Sequence, residues 1–165
     1  MAVATARKMI TIGEMVITND PTSVNLIVGS CVGVIIYDPL KKTFAITHTI
    51  YPEFTERSLA LGKKKTFYVD TAIEEMIAEL QKRGSSVPQL QAKIIGGANM
   101  FENLEPVGDK NVVVARKTLE EHKIPLVAED TGGRSGRKIE PMNSEGKIKV
   151  IVHKSSTEKD VTLYI

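Results

Sequence analysis

The sequence predicts a layered α+β sandwich in which a mixed sheet packs against two main helices. Strand-length runs rich in Val, Ile and Thr outnumber the segments that have helical periodicity. The strands do not alternate regularly with helices, which favours a mixed sheet over a doubly wound parallel sheet. The chain contains no internal repeat and no long linker, so residues 1–165 are expected to form one domain.

Three strand signals come first along the chain. Residues 9–18, 25–37 and 43–51 are rich in β-branched residues and have strand length. Pro39 lies between the last two segments, at a position that favours a tight turn. The pattern therefore predicts a β-hairpin, followed by a polar surface loop over residues 53–65.

Two helices are predicted in the middle of the chain. Apolar residues recur at helical spacing between Phe67 and Leu80, and Gly84 then ends the pattern. The second helix is predicted over about residues 109–122, with one apolar face turned toward the core. Between the two helices, residues 91–97 predict a short buried strand that ends at two glycines.

Three more strands complete the predicted fold. Residues 124–130 form a strand that leads into the glycine-rich segment TGGRSGR. Residues 147–153 and 161–165 form two strands in the tail, joined by a charged turn. All of these strands must share the core with only two main helices, as a layered sandwich does.

The composition restricts the class of partner. The chain has 22 Lys and Arg against 20 Asp and Glu, and a net charge of +2 does not favour nucleic acid or a membrane surface as the partner. Aromatic residues make up 5% and Trp is absent, so a base-stacking platform is not expected. The start of the chain lacks a signal-peptide core, and the longest apolar run, around VGVIIY, is too short to span a bilayer. We therefore expect a cytoplasmic protein without membrane insertion.

Neither a metal nor another cofactor is expected. A single cysteine excludes an internal disulfide and a multi-cysteine zinc site. His122 and His153 do not have the spacing of metal ligands with His48, and the GxGxxG nucleotide motif is absent. Any chemistry must therefore come from the side chains themselves.

The predicted hairpin brings together a possible nucleophile and a possible base. If the turn is centred between Pro39 and Leu40, Cys31 stands directly opposite His48, with Cβ atoms ~4.5–5.5 Å apart. At that distance an imidazole can take the proton of a thiol, and an imidazolium would lower the thiol pKa. The alternative is that both are ordinary core residues, since a lone cysteine is most often a small buried apolar side chain.

Two further groups would be needed beside such a pair. Gly29 and Ser30 let the backbone turn into Cys31, so amide N–H groups there can face a developing oxyanion. The second nitrogen of the imidazole needs an acceptor that fixes its tautomer. A backbone carbonyl would serve, and so would the side chains of Ser23, Asn25, Thr47 and Thr49.

The chain also resembles a known family. The strings GSCVGVIIYD, IIGGANMF, VGDKNV and EDTGGRSGRKI, with His48 in a strand that ends at Pro52, resemble the CheD family of chemoreceptor glutamine deamidases. The similar segments run from about Gly13 to Ile139 in the order of the family. The resemblance implies that Cys31 is the nucleophile and His48 the general base. The family has Thr where this chain has Asn25, which we assign as the third catalytic residue.

The resemblance also implies a fold, a reaction and partners. The fold would be similar to the catalytic domain of cytotoxic necrotizing factor toxins. The reaction would be hydrolysis of glutamine side chains to glutamate on cytoplasmic helices of methyl-accepting chemotaxis receptors. A CheY-P phosphatase of the CheC type would dock over the active site. Because Asn25 departs from the family pattern, the alternative is a catalytically weakened binding module that regulates such a phosphatase or the receptors.

Two glycine-rich segments are the remaining candidates for pocket residues, because glycine lets a peptide substrate approach the backbone closely. The alternative is that they are simple tight turns. Arg134 and Arg137 are expected to form ion pairs with the nearby Glu129 and Asp130, and the alternative partner is an acidic receptor surface. The candidate pocket residues are Gly96, Gly97, Thr131, Gly132 and Gly133.

Overall fold

A computed structural model describes residues 6–165 of the chain. Residues 1–5, which belong to the segment considered above for a signal peptide and to the expected single domain, lie outside the described residues. Within the described range the chain forms two five-stranded sheets, here called the central sheet and the outer sheet. None of the helices found there is long and apolar enough to cross a membrane.

Both sheets are mixed. In spatial order, the central sheet contains β2 (Met15–Thr18), β5 (Thr43–Thr49), β4 (Val32–Asp38), β6 (Gln91–Gly96) and β7 (Leu126–Thr131). The outer sheet contains β1 (Lys8–Met9), β3 (Val24–Val28), β8 (Arg137–Pro141), β9 (Ile148–Val152) and β10 (Val161–Tyr164). The pairs β6–β7 and β1–β3 are parallel, and the other neighbours are antiparallel. The prediction of mixed sheets is therefore confirmed.

Helices form a third layer on the central sheet. They are α1 (Glu56–Ala60), α2 (Val69–Lys82) and α3 (Val107–Glu121), and single 3₁₀ turns occur at Pro21–Ser23, Lys65–Phe67 and Val87–Gln89. The two main helices, α2 and α3, correspond to the predicted ones. The short α1 lies in the predicted loop, where Thr55 and Ser58 form a reciprocal capping box at its start. Five residues are too few to show helical periodicity, so the sequence pattern did not reveal α1.

The central strand β4 is buried on both faces, as its unbroken apolar sequence requires. Val34 and Ile36 pack with the helices, whereas Ile35 and Tyr37 pack against the outer sheet. Each fully buried Val or Ile side chain contributes roughly 1.5–3 kcal/mol by leaving water. The molecule is thus a three-layer sandwich, which confirms the predicted layered α+β architecture.

Two of the predicted strands each divide between the sheets. The segment 9–18 splits into β1 and β2, with Gly13 at a φ of 83° between them. The segment 25–37 splits into β3 and β4, and the chain crosses from the outer to the central sheet at residues 29–31. The strand β8 was not predicted, because RKIEP has little apolar alternation and ends in proline.

The hairpin forms, but its predicted register is wrong by two residues. His48 pairs with Gly33, not with Cys31, and the last pair before the loop is Asp38 with Thr43. The Asp38 carboxylate accepts hydrogen bonds from the main-chain N–H groups of Leu40 and Lys41, and the loop extends by two residues, Lys41 and Lys42, on its C-terminal side. A shift of two residues leaves every side chain on its predicted face, because the period of a strand is two.

Candidate active site

The candidate nucleophile lies where the chain crosses between the sheets. Cys31 directly precedes β4, is 8% exposed, and belongs to the core cluster between the two sheets. His48 lies on β5 beside Gly33, whose added Cβ would contact Leu26 and Ile139 of the outer sheet. His48 therefore faces the same layer as Cys31, and it is 6% exposed.

A main-chain carbonyl orients the His48 ring. The Nδ1 atom lies 3.1 Å from the carbonyl oxygen of Ile10, which can only accept, so Nδ1 carries the proton. The other ring nitrogen, Nε2, is left with its lone pair and can act as a base. Ile10 is itself held in place, because its amide donates to the carbonyl of Asn25 at 2.8 Å.

The side chain of Asn25 does not orient His48 in this structure, which corrects the expectation from the sequence. Its Oδ1 atom is buried and has no hydrogen-bond partner among the residues described, and Asn25 acts on Ile10 through its carbonyl alone. The other candidate acceptors are engaged elsewhere: the hydroxyls of Ser23, Thr47 and Thr49 donate to the carbonyls of Asp20, Glu14 and Val32. No sequence motif reveals a carbonyl acceptor, because every residue has one.

The resting pair is neutral. Burial raises the pKa of the Cys31 thiol to about 11, against a smaller opposite effect of its own main-chain N–H. Burial lowers the pKa of His48, against the smaller opposite effect of its hydrogen bond to the Ile10 carbonyl. No hydrogen bond joins the thiol and the ring in the described part of the chain, so the expected thiolate–imidazolium pair is not the resting state. Catalytic hydrogen bonds are often long in a substrate-free enzyme and tighten in the complex.

The first glycine-rich segment, which contains Gly96 and Gly97, braces residues 29–31. These three residues are here called the nucleophile loop. The amide of Gly97 donates to the carbonyl of Cys31 at 2.9 Å, and the amide of Ala98 donates to the carbonyl of Gly29 at 3.0 Å. Gly96 has a φ of 119°, and a Cβ added to it would lie 2.3 Å from the carbonyl oxygen of Cys31. Only glycine allows this approach. The structure thus brings Gly96 and Gly97 to the loop, where the amide of Gly97 is already engaged.

The second glycine-rich segment, residues 131–133, forms hydrogen bonds with residues 96 and 99. The amide of Gly132 donates to the carbonyl of Gly96, and the carbonyl of Gly133 accepts from Asn99. Thr131 donates its hydroxyl to Glu129 at 2.9 Å. Gly132 and Gly133 therefore form hydrogen bonds with the segment that braces the nucleophile loop.

The two arginines of this region differ in their surroundings. Arg137 is buried and pairs with Asp130 at 2.8 Å, which confirms a local ion pair. Arg134 pairs instead with Glu102 at 2.6 Å. The expected partner Glu129 pairs with Arg116.

Two cavities flank the pair. One, of about 490 Å³, borders Ser30, and the exposed side chains of Met100, Phe101 and Leu104 line it. The other, of about 510 Å³, borders His48 and is lined by residues 9–12 and Ile27. Both are largely apolar in lining, so a substrate segment that enters either would bury apolar surface.

One buried polar residue beside the site was not predicted. Asn111 of α3 donates from Nδ2 to the carbonyls of Ser30 and Ile50, at 3.0 Å each. The sequence signal was present, since Asn111 falls on the apolar face of α3 with Ala115 and Thr118.

Comparison with known proteins places the chain in a family. The family model described as CheD chemotactic sensory transduction matches residues 52–152. The chain is 40% identical over 146 residues to the chemoreceptor glutamine deamidase CheD of Thermotoga maritima. This alignment covers 87% of this chain and 90% of that protein. The chain belongs to the CheD family.

Two further relatives agree. The probable chemoreceptor glutamine deamidase CheD of Thermococcus kodakarensis is 42% identical over 126 residues, covering 74% of this chain and 77% of that protein. The chemoreceptor glutamine deamidase CheD of Halalkalibacterium halodurans is 41% identical over 128 residues, covering 72% and 75%. The resemblance to the CheD family noted from the sequence is confirmed. A match over 87% of the chain includes both Cys31 and His48 wherever it begins.

Proposed function

We propose that this CheD-family chain hydrolyses glutamine side chains of chemotaxis receptors to glutamate and releases ammonia. The observation that carries the proposal is the buried Cys31 on the same face as His48, whose Nδ1 is fixed by the Ile10 carbonyl. The relatives named chemoreceptor glutamine deamidases supply the substrate class.

The first half of the reaction is acyl transfer to sulfur. The sulfur of Cys31 attacks the amide carbon while Nε2 of His48 takes the thiol proton, and a tetrahedral intermediate forms. When this intermediate collapses, the carbon–nitrogen bond breaks and His48 returns the proton to the nitrogen, which leaves as ammonia. The product of this half is a thioester between Cys31 and the former glutamine side chain.

The second half is hydrolysis of the thioester. His48 takes a proton from a water molecule, whose oxygen attacks the thioester carbon. The carbon–sulfur bond breaks and the proton returns to Cys31, so the thiol is regenerated and the side chain leaves as glutamate. The sum is glutamine plus water giving glutamic acid plus ammonia, which exchange a proton in water to become glutamate and ammonium.

Main-chain amides of the nucleophile loop would stabilise the oxyanion of both intermediates. The N–H of Cys31 belongs to the nucleophile itself and points opposite to the Ser30 carbonyl, because a peptide unit is planar. Gly29 and Ser30 precede it in the loop, and their carbonyls accept hydrogen bonds from Ala98 and Asn111. The neutral resting pair fits this mechanism, since a neutral imidazole is the form that acts as a base.

The partners follow from the same proposal. Cytoplasmic helices of methyl-accepting receptors are the substrates, which places the enzyme in the cytoplasm. A CheC-type phosphatase is the proposed regulatory partner. The exposed apolar side chains of Met100, Phe101 and Leu104, beside the loop, provide apolar surface for one of these partners.

A second candidate function is the catalytically weakened binding module. The observations in its favour are the raised pKa of the Cys31 thiol and Asn25 in place of the family's Thr. Such a protein would bind receptor or phosphatase without converting glutamine.

One experiment separates the two functions. The chain is incubated with a receptor cytoplasmic fragment, and peptide mass spectrometry then counts glutamines converted to glutamate above a buffer control. Conversion supports the deamidase. Binding of the fragment, or of a CheC-type phosphatase, without any conversion supports the binding module.

A further inference from the structure

The nucleophile loop has all three of its main-chain carbonyls fixed. Those of Gly29 and Cys31 accept from Ala98 and Gly97, at 3.0 and 2.9 Å. The carbonyl between them, that of Ser30, accepts from the side chain of Asn111 at 3.0 Å. The Ser30 bond is thus the one in this set that depends on a side chain, so it is the one that substitution can remove.

Asn111 joins the two halves of the candidate site. Its Nδ2 also donates to the carbonyl of Ile50, two residues after His48, at 3.0 Å. One planar amide group therefore links the loop that carries Cys31 to the residue that directly follows β5, the strand that carries His48. Both donors are needed on this side, because the flipped amide would place its oxygen against two carbonyl oxygens.

Burial of the Asn111 side chain has a cost in the free energy of folding. The residue is 0% exposed, and its Oδ1 atom has no hydrogen-bond partner within residues 6–165. A buried polar atom without a partner destabilises a protein, but an apolar residue here would also remove the donor to the carbonyls of Ser30 and Ile50. The value of the amide therefore lies in the two carbonyls that it joins.

The first turn of helix α3, which precedes Asn111, packs closely against residues 97 and 98. A Cβ added to Gly108, one turn before Asn111, would lie 2.4 Å from the carbonyl oxygen of Ala98 and 2.5 Å from that of Gly97. The first turn of α3 therefore packs backbone to backbone on the segment that braces the loop. This contact fixes the distance from α3 to Ser30, as a positioning role requires.

We infer that Asn111 is a positioning residue that aims the Cys31 N–H at the oxyanion, an inference that rests on the proposed deamidase function. A peptide unit is planar, so a fixed Ser30 carbonyl points the following N–H in the opposite direction. That N–H belongs to Cys31, the residue whose sulfur attacks the amide in the proposed reaction. Asn111 thus sets the direction of an oxyanion donor without contacting the substrate.

The test compares Asn111→Ala with Thr118→Ala, a buried polar position two turns later on the same helix. Complete loss of an oxyanion donor lowers kcat ~10²–10³-fold. We expect the misdirected donor of Asn111→Ala to lower kcat roughly ten- to a hundredfold, with KM nearly unchanged. Thr118→Ala should change neither constant. Asn111→Ser keeps one hydroxyl donor and should fall between, and it replaces the alanine variant if that variant does not fold.

Other results would overturn the inference. A folded Asn111 variant with unchanged kcat, or one that raises KM alone, contradicts positioning. Equal loss of kcat in Thr118→Ala would show a merely structural effect of the helix. Cys31→Ala is measured in the same assay: if it retains activity, the proposed mechanism itself fails. If it is inactive while Asn111→Ala is fully active, the inference about Asn111 fails alone.

Discussion

Main-chain atoms carry much of the chemistry at the scale of single residues. The Ile10 carbonyl sets the tautomer of His48, and the Ser30 carbonyl, held by Asn111, sets the direction of the Cys31 N–H. Burial favours the neutral form of both Cys31 and His48, because it disfavours the charged form of each. In the proposed mechanism the substrate therefore meets a thiol and a base, and the proton moves only during attack.

The pH dependence follows from these shifts. His48 has a lowered pKa, so its neutral, basic form persists to a lower pH than in a free imidazole, and kcat/KM should rise with pH through a midpoint below ~6.5. Cys31 has a raised pKa, so its alkylation rate in the free enzyme should show an inflection at about 11. Stopped assays with iodoacetamide across pH measure it. An inflection below the ~8.5 of a free cysteine would restore the thiolate pair expected from the sequence.

Substitution of Asn25 distinguishes its side chain from its carbonyl. Every substituted residue keeps the carbonyl that accepts from Ile10, and the side-chain oxygen has no partner to lose among the described residues. We therefore expect Asn25→Ala and Asn25→Thr to keep kcat within about threefold, or less than ~1 kcal/mol in the barrier. The family pattern would instead predict a loss for alanine alone. A tenfold loss restricted to Asn25→Ala would show that the side chain orients His48.

The helices and strands show which features of the fold could be predicted from the sequence. The hairpin, both main helices and the split of faces on β4 followed from periodicity and turn residues. The register did not, because the Asp38 carboxylate extends the loop through bonds that a turn type alone does not specify. The crossing at residues 29–31 was also missed, since adjacent apolar strands have the same pattern whether they share a sheet or change sheets. For the site, the sequence indicated Cys31 and His48 but had no signal for a carbonyl acceptor.

The close contact of β6 with the nucleophile loop gives a prediction with a matched control. Gly96 and Gly132 both have positive φ, but only at Gly96 does an added Cβ collide, 2.3 Å from the Cys31 carbonyl oxygen. Gly132→Ala should lose roughly 1–2 kcal/mol from backbone strain alone. Gly96→Ala should lose at least ~2 kcal/mol more and most of its activity. Urea denaturation measures both, and equal losses would show that the loop is not braced there.

The whole molecule places its candidate site where three layers meet. Strand β3 of the outer sheet leads into the nucleophile loop, and β4 of the central sheet follows the loop. Helix α3 of the helix layer contacts the loop through a hydrogen bond. Residues distant in sequence therefore hold Cys31, so the loop is fixed by the complete fold.

Because residues of all three layers hold the nucleophile loop in place, the sulfur of Cys31 can be removed with little effect on the fold. We expect Cys31→Ala to lose about 1 kcal/mol of the free energy of unfolding, as small core truncations do. If the parent binds a CheC-type phosphatase as proposed, the variant should bind it with the same affinity, since the loop carbonyls keep their bonds. Thermal unfolding and a binding titration measure the two properties. An unfolded variant would mean that the thiol is chiefly structural.

Deamidation of a receptor cytoplasmic fragment by Cys31→Ala, beside the parent chain, tests the central claim most directly. Peptide mass spectrometry follows each glutamine over time, with a buffer control for spontaneous conversion. The nucleophile assignment predicts that the parent converts specific glutamines and that the folded Cys31→Ala variant does not exceed the control. Conversion by Cys31→Ala at the parent's rate would contradict it.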